Sequence, residues 1–258
     1  MKHVTATRYV TPLREGGSLP AIIEADDEGL YVLKFRGAGQ GPKALIAEWL
    51  AGEIARLLAL PVPDIAFVQL DGDLARTEPD AEVQDLIRRS AGLNLALDYL
   101  PGSITYDPLV FAVDAEFASR VVWFDAFVCN VDRTPRNVNL LTWHGRPWLI
   151  DHGAALYFHH GWKQGEDWHA TPFALIADHV LLPAAAALEQ ADAFCRSRLD
   201  VDRLDALVRA VPEEWLAGSE GFDGVPAQRA AYLDYFVRRL QHTGVFLQEA
   251  MRARTAHL

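Results

Sequence analysis

Asp132-Arg133-Thr134-Pro135-Arg136-Asn137 places a carboxylate and a carboxamide five positions apart on one polar turn. An apolar hairpin pattern follows and ends in Leu149-Ile150-Asp151-His152-Gly153. Phosphoryl transfer from a nucleotide needs a carboxylate to receive or orient the attacking hydroxyl, and oxygen ligands to hold Mg²⁺ on the phosphates. Asp132, Asn137 and Asp151 supply that set. The hairpin returns the chain, so Asp151 can face the point that Asp132 and Asn137 share. Arg133 and Arg136 are then placed to balance the carboxylates or to engage phosphate. Without Asp151 the same residues read equally well as a plain polar turn.

Lys34 is the second candidate. In Leu30-Tyr31-Val32-Leu33-Lys34-Phe35, a period of two puts Leu30, Val32 and Lys34 on one face, which sets an ammonium on a side otherwise fit for burial. A buried ammonium needs an anionic partner, and a nucleotide phosphate together with a helix carboxylate would serve. A strand-end lysine reaching solvent along its flexible stem is the plainer alternative. In the helix that follows, Glu48 shares a stripe with Leu45, Gly52 and Ala55, whereas Glu53 lies within reach of Arg56 at i+3. Glu48 is therefore the better candidate to meet Lys34.

Strands, a helix, a loop and a hairpin must position these groups. Residues 4–11, Ala21–Ala25 and 30–35 read as strands joined by turns at Gly16-Gly17 and Asp26-Asp27-Glu28-Gly29, an antiparallel meander. Apolar residues at helical spacing predict a helix over 42–60, started by Pro42 and stopped by Pro61. Two further β-type runs, Ile65–Leu70 and 93–100, are separated by a polar segment. After Pro101-Gly102 the pattern turns helical. Residues 113–130 read as a helix packed inside its lobe, 138–143 and 147–151 as a hairpin, and helices dominate from Phe173 onward, the longest over 227–254. The layout is α+β and two-lobed, with an N-terminal lobe of five strands and one helix over 1–100 and a mainly helical lobe over 101–258.

Composition narrows the possibilities further. With 258 residues, 50% hydrophobic and 23% charged, the chain is globular with material for a sizeable core. No window reaches the about 18 apolar residues of a membrane span, and the first residues lack a signal-peptide core, so a cytoplasmic protein is expected. Cys129 and Cys195 sit in apolar helical patterns and read as reduced core thiols. The balance of 24 Lys+Arg against 35 Asp+Glu, a formal charge of −11, opposes a long phosphate backbone, so nucleic acid is not an expected partner. Gly37-Ala38-Gly39-Gln40-Gly41, with Asp71 as a distant acid, invites a dinucleotide-binding reading. Its spacing is GxGxG instead of GxGxxG, and the strand before it belongs to an antiparallel meander. The turn holding Gly16, Gly17 and Ser18 is the better candidate to cover phosphates. His159, His160, Asp167 and His169 follow no zinc spacing and read as loop-packing or substrate-side residues. Asp125 reads either as a buttress of the 132–137 loop or as an ordinary satisfied buried carboxylate.

Taken in order, Arg14-Glu15-Gly16-Gly17-Ser18-Leu19, Val32-Leu33-Lys34-Phe35, the helix with Glu48, Leu95-Ala96-Leu97-Asp98-Tyr99-Leu100-Pro101-Gly102, the 132–137 loop and Leu149-Ile150-Asp151-His152-Gly153 resemble the HipA-like kinases of the protein-kinase-like superfamily, over residues 10–153. The resemblance implies a two-lobed kinase fold that binds ATP and Mg²⁺. It implies Asp132 as catalytic base, Asn137 and Asp151 as Mg²⁺ ligands, and Lys34, paired with Glu48, as the phosphate-contacting lysine. It further implies Gly16, Gly17 and Ser18 over the phosphates, and Asp98, Tyr99 and Leu100 as the hinge beside adenine. The chain departs from ordinary protein kinases in carrying Asn130-Val131-Asp132 for His-Arg-Asp and Asp151-His152-Gly153 for Asp-Phe-Gly. The implied activity is transfer of the γ-phosphoryl group to a hydroxyl, that of Ser or Thr in a protein. Because the loop is also similar to that of type II phosphatidylinositol 4-kinases, a lipid or small-molecule acceptor is the alternative. A nucleotide-binding pseudokinase that regulates a partner is a third reading, and the resemblance raises an antitoxin-like or other regulatory protein as that partner.

Overall fold

Alternation of inward apolar and outward polar residues builds the first strands. The structure, a computed structural model, describes residues 1–13, 19–218 and 221–256. In β1 (Lys2–Pro12) Val4, Ala6 and Tyr9 turn inward, and a bulge between Ala6 and Arg8 shifts the alternation so that Tyr9 follows Ala6 on the buried face. β2 (Ala21–Ala25) buries Ala21, Ile23 and Ala25, and β3 (Leu30–Lys34) buries Tyr31 and Leu33. With β4 (Ile65–Leu70) and β5 (Gly92–Asp98) they close a barrel in the order β1-β2-β3-β5-β4. The expected antiparallel meander holds for β1 to β3, but closure comes from a parallel pairing of β1 with β4, Lys2 lying opposite Ala66. The face carrying Leu30, Val32 and Lys34 is not the barrel interior as the period-two pattern allowed. Leu30 is 40% exposed and Val32 half-buried, and Lys34 alone on that face is buried.

Helix α1 (Pro42–Leu57) buries ten residues, Glu48 among them, between the barrel and the C-terminal half. It ends before the expected residue 60 because Ala59 adopts φ 56 and the Leu60 N–H turns back to the Ala55 carbonyl. The polar segment between β4 and β5 is not plain loop. A 3₁₀ turn (Gly72–Thr77) and α2 (Ala81–Arg89) are capped by the Asp71 and Asp80 carboxylates, which accept the Asp73 and Glu82 N–H groups at 2.9 Å. Asp71 thus serves as a cap and not as the distant acid of a dinucleotide site. Val83, Leu86 and Ile87 of α2 join the apolar interior of the barrel, so the N-terminal lobe carries a pair of helices where one was expected.

The rest of the chain is mainly helical. β6 (Ile104–Thr105), β7 (Leu140–Trp143) and β8 (Arg146–Leu149) form a small antiparallel sheet, and α3 (Ala115–Phe127) falls between β6 and β7 in the chain. The hairpin is shorter than expected at both ends because Asn139 (φ 47) and Asp151 (φ 55) take left-handed backbone. Irregular chain with short 3₁₀ turns leads to α4 (Leu188–Arg198), α5 (Val201–Ala210), α6 (Glu213–Leu216), α7 (Gly224–Gln241) and α8 (Thr243–Ala256). The single helix expected over 227–254 is therefore two. At His242, between them, the ring Nδ1–H donates to the Arg238 carbonyl at 2.7 Å. One apolar core joins α1, the Phe67 and Leu95 side of the barrel, α3 and the C-terminal helices, so it runs across position 100. Cys129 and Cys195 are free thiols inside it. Among the described residues no helix is long and apolar enough to cross a membrane.

Candidate active site

Lys34 ends β3 with its ammonium 2.6 Å from Asp151 Oδ1 and 3.7 Å from Glu48 Oε2. Burial alone would lower its pKa, but the carboxylates of Glu48 and Asp151 outweigh burial and raise it above the ordinary value. Burial likewise works against the Glu48 carboxylate, and the charge of Lys34 with the hydrogen bonds from His152 holds its pKa down at about 2. Those bonds come from the His152 backbone N–H, at 3.0 Å, and from its ring Nδ1, at 3.3 Å, both to Glu48 Oε1. Glu48 therefore grips the Asp151 turn through the backbone while holding Lys34 through the other oxygen. Glu53 stays at the surface with Arg56.

The 132–137 loop brings its own order to the site. The Asn137 carboxamide donates to Asp132 Oδ2 at 2.7 Å, and the Asn130 side-chain oxygen accepts the Asp132 N–H at 3.1 Å. Asn139 Nδ2 donates to the Asp132 carbonyl at 2.6 Å. Beneath the loop lies Asp125, fully buried on α3. Its Oδ1 accepts from Asn130 Nδ2 at 2.8 Å, and its Oδ2 from Arg133 Nε at 2.6 Å and His179 Nε2 at 2.9 Å. Burial would raise this carboxyl, yet Arg133 and His179 hold it well below the usual carboxylate range. His179 Nδ1 accepts the Leu181 N–H at 3.0 Å, which leaves Nε2 as the protonated nitrogen of a neutral ring. Of the two readings of Asp125 the geometry supports the buttress, since Arg133 belongs to the loop and Asn130, just before it, in turn accepts the Asp132 N–H. Arg133 is consumed in this network and donates also to the Asn139 carbonyl, so phosphate contact falls to the exposed Arg136 if to either.

A cavity of about 440 Å³ gathers Lys34, Glu48, Asp132, Asn137 and Asp151 on one wall system, with Gly39, Gln40, Tyr157 and His160 among its other walls. The Gly-Ala-Gly-Gln-Gly segment thus lines the cleft without forming a dinucleotide fingerprint. Asp98, Tyr99 and Leu100 do not line this cavity. Asp98 pairs with Tyr31 and the Tyr99 N–H donates to the Leu30 carbonyl at 3.0 Å, so they lie past the opposite end of β3 from Lys34. Gly16, Gly17 and Ser18 lie outside the described residues. The donor set suits a hard divalent ion: with its nitrogen spent on Asp132, Asn137 offers its amide oxygen, and Asp151 offers a carboxylate on the same cavity. His160 lines the cavity, but the other two histidines serve elsewhere. His159 is buried against the Tyr232 hydroxyl at 3.0 Å, where burial first, then His160 and Lys43, press its pKa well down, and His169 bonds Asp167. Among the described residues no cluster of three or more His, Cys, Asp or Glu could hold a metal ion by itself.

Three site residues escaped the sequence reading. Asn139 follows Asn137 in an Asn-x-Asn pattern that offered a signal. His152 was visible only as the residue after Asp151, and His179, 54 positions from Asp125, offered none.

A family model described as HipA-like kinase matches residues 7–242. No curated protein matches the chain. Among solved structures, a Helicobacter pylori proinflammatory kinase, CtkA, is similar with a TM-score of 0.54 and 13% identity, over 95% of this chain and 97% of that one, a likeness of fold. The Golgi casein kinase gives a TM-score of 0.49 and 12% identity, over 98% of this chain and 72% of that one.

Proposed function

The chain belongs to the HipA-like kinase family, and on that premise we propose that it transfers the γ-phosphoryl group of ATP to a hydroxyl, that of Ser or Thr in a protein. One observation carries the reading: Lys34, braced by Glu48, meets Asp151 on the wall of the same cavity that holds Asp132 and Asn137. In it Lys34 exchanges the Asp151 carboxylate for phosphate oxygens while Glu48 keeps its charge company. Asp132 orients the acceptor. Its Oδ2 is engaged by Asn137, whereas its Oδ1 accepts no hydrogen bond among the described residues and is left for the incoming O–H. Asn137 and Asp151 would hold Mg²⁺, which when bound neutralises phosphate charge. Asp98, Tyr99 and Leu100 are assigned to the adenine end, because Tyr31, which pairs with Asp98, lies three strand residues or about 10 Å from Lys34. Gly16, Gly17 and Ser18 are assigned to the phosphates. The net charge of −11 disfavours work on an anionic lipid surface, which supports a protein acceptor over a lipid one.

Calorimetric titration of ATP with and without Mg²⁺ tests the site. The wild type should bind ATP with an Mg²⁺-dependent gain, and Asp151→Ala should lose that gain. A gain of equal size in Asp151→Ala would remove Asp151 as a metal ligand.

A further inference from the structure

Asn139 stands where the two functional segments meet. It is 9% exposed and adopts φ 47, a left-handed conformation that asparagine tolerates better than most residues. Its Nδ2 donates to the Asp132 carbonyl at 2.6 Å and lies 3.4 Å from Asp132 Oδ2. Its own carbonyl accepts from Arg133 Nη1, and from the Ile150 N–H at 3.1 Å. Ile150 immediately precedes Asp151. One residue therefore ties the loop carrying Asp132, by side chain and by backbone, to the strand end carrying Asp151.

We propose that Asn139 is a positioning residue for phosphoryl transfer, its carboxamide fixing Asp132 so that Oδ1 faces the cavity. The proposal rests on the phosphotransferase reading above. Asn137 alone does not fix the carboxylate, because Asn137 is exposed and offers its oxygen to a cation. The buried Asn139 donor holds the Asp132 carbonyl and flanks its carboxylate from the protein side. Loss of a hydrogen bond that orients a reacting group reduces turnover, and substrate binding made through other residues survives.

Two substitutions separate positioning from packing. Asn139→Gly keeps the positive φ and the carbonyl that Arg133 and Ile150 use, and removes only the carboxamide. Asn139→Asp keeps size and shape but turns a carboxylate toward the Asp132 carbonyl and carboxylate. With MgATP as the probe, ATP hydrolysis and autophosphorylation should fall roughly tenfold in Asn139→Gly and about a hundredfold in Asn139→Asp, with ATP affinity within about threefold of wild type. A packing role would reverse that order, leaving Asn139→Asp close to wild type. Wild-type turnover in Asn139→Asp, or parallel loss of turnover and ATP binding in both variants, overturns the proposal and leaves the phosphotransferase reading standing. If the wild type itself neither hydrolyses nor transfers, that reading fails and the assignment falls with it.

Discussion

Lys34 faces two carboxylates, and burial of the Lys34–Glu48 pair is tolerable only because each charge is matched and Glu48 has further hydrogen bonds from His152. The sign of the resulting pH dependence follows from Glu48. Its carboxyl is lowered from 4.5 to about 2, so the stability it contributes is complete above pH 4.5 and is lost as pH falls toward 2. Lys34→Met keeps the aliphatic stem and removes the charge. The melting temperature of the variant should lie below that of wild type, with the gap widest above pH 4.5 and shrinking as pH approaches 2. A gap that stays constant across this range, measured by thermal melts at stepped pH, would mean that the pair contributes nothing through charge. ATP affinity of the variant should fall in the same preparation. At this scale Glu48 as the partner of Lys34, and Asp132 through Asn137, were legible from local pattern, a stripe on a helix and spacing in a loop; period two marked Lys34 only by placing it on an apolar face, and that face leaves Leu30 exposed. His179 and His152 were not legible, since their partners Asp125 and Glu48 lie 54 and 104 positions away.

Helix α1 holds Glu48 in place, and its surroundings leave it little freedom. A Cβ on Gly52 would come within 2.6 Å of Ile65 Cδ1, so the helix lies close on β4. The Trp49 indole N–H donates to the Leu207 carbonyl at 3.1 Å, fastening the helix to α5. Helix α6 adds a second clasp: the Trp215 indole N–H donates to the Leu93 carbonyl of β5 at 3.0 Å, its ring lies 5.5 Å from Phe67, and the neighbouring Glu214 pairs with Arg36 at 2.7 Å. Trp215→Ala should cost about 3–5 kcal/mol, the usual range for truncating a buried tryptophan. Urea unfolding checks this, and a loss under about 1 kcal/mol would show that α6 does not fasten the barrel. The elements themselves were mostly legible. α1, the first three strands and the hairpin follow local periodicity and turn residues. The parallel closure of β1 on β4 was not legible, because it joins residues more than sixty positions apart with no turn between them to signal it. The break at His242 was hidden because apolar spacing continues through it, and α2 because its Val83, Leu86 and Ile87 stripe is short and set among charges.

Across the whole molecule the two functional segments are fixed from different sides. The barrel and α1 supply Lys34 and Glu48, while α3, through Asp125, and the small sheet, through Asn139, set Asp132 and Asp151. The shared apolar core joins these halves, so the cleft between them is defined by packing as well as by charge. The protein-kinase-like architecture was legible as an ordered set of motifs, and no one motif would have sufficed. The acceptor was not legible, because it depends on surfaces that no local pattern encodes. The central claim is that Asp132 directs transfer and does not mainly hold the nucleotide. The most direct measurement pairs equilibrium ATP binding, in Mg²⁺, with incorporation of phosphate from labelled ATP into the protein itself and into lysate proteins, for wild type and Asp132→Asn. ATP affinity should survive within about threefold while incorporation falls by at least roughly a hundredfold, the loss expected for a positioned base. Equal incorporation by the two proteins, or ATP binding by both with no transfer by either, would contradict it.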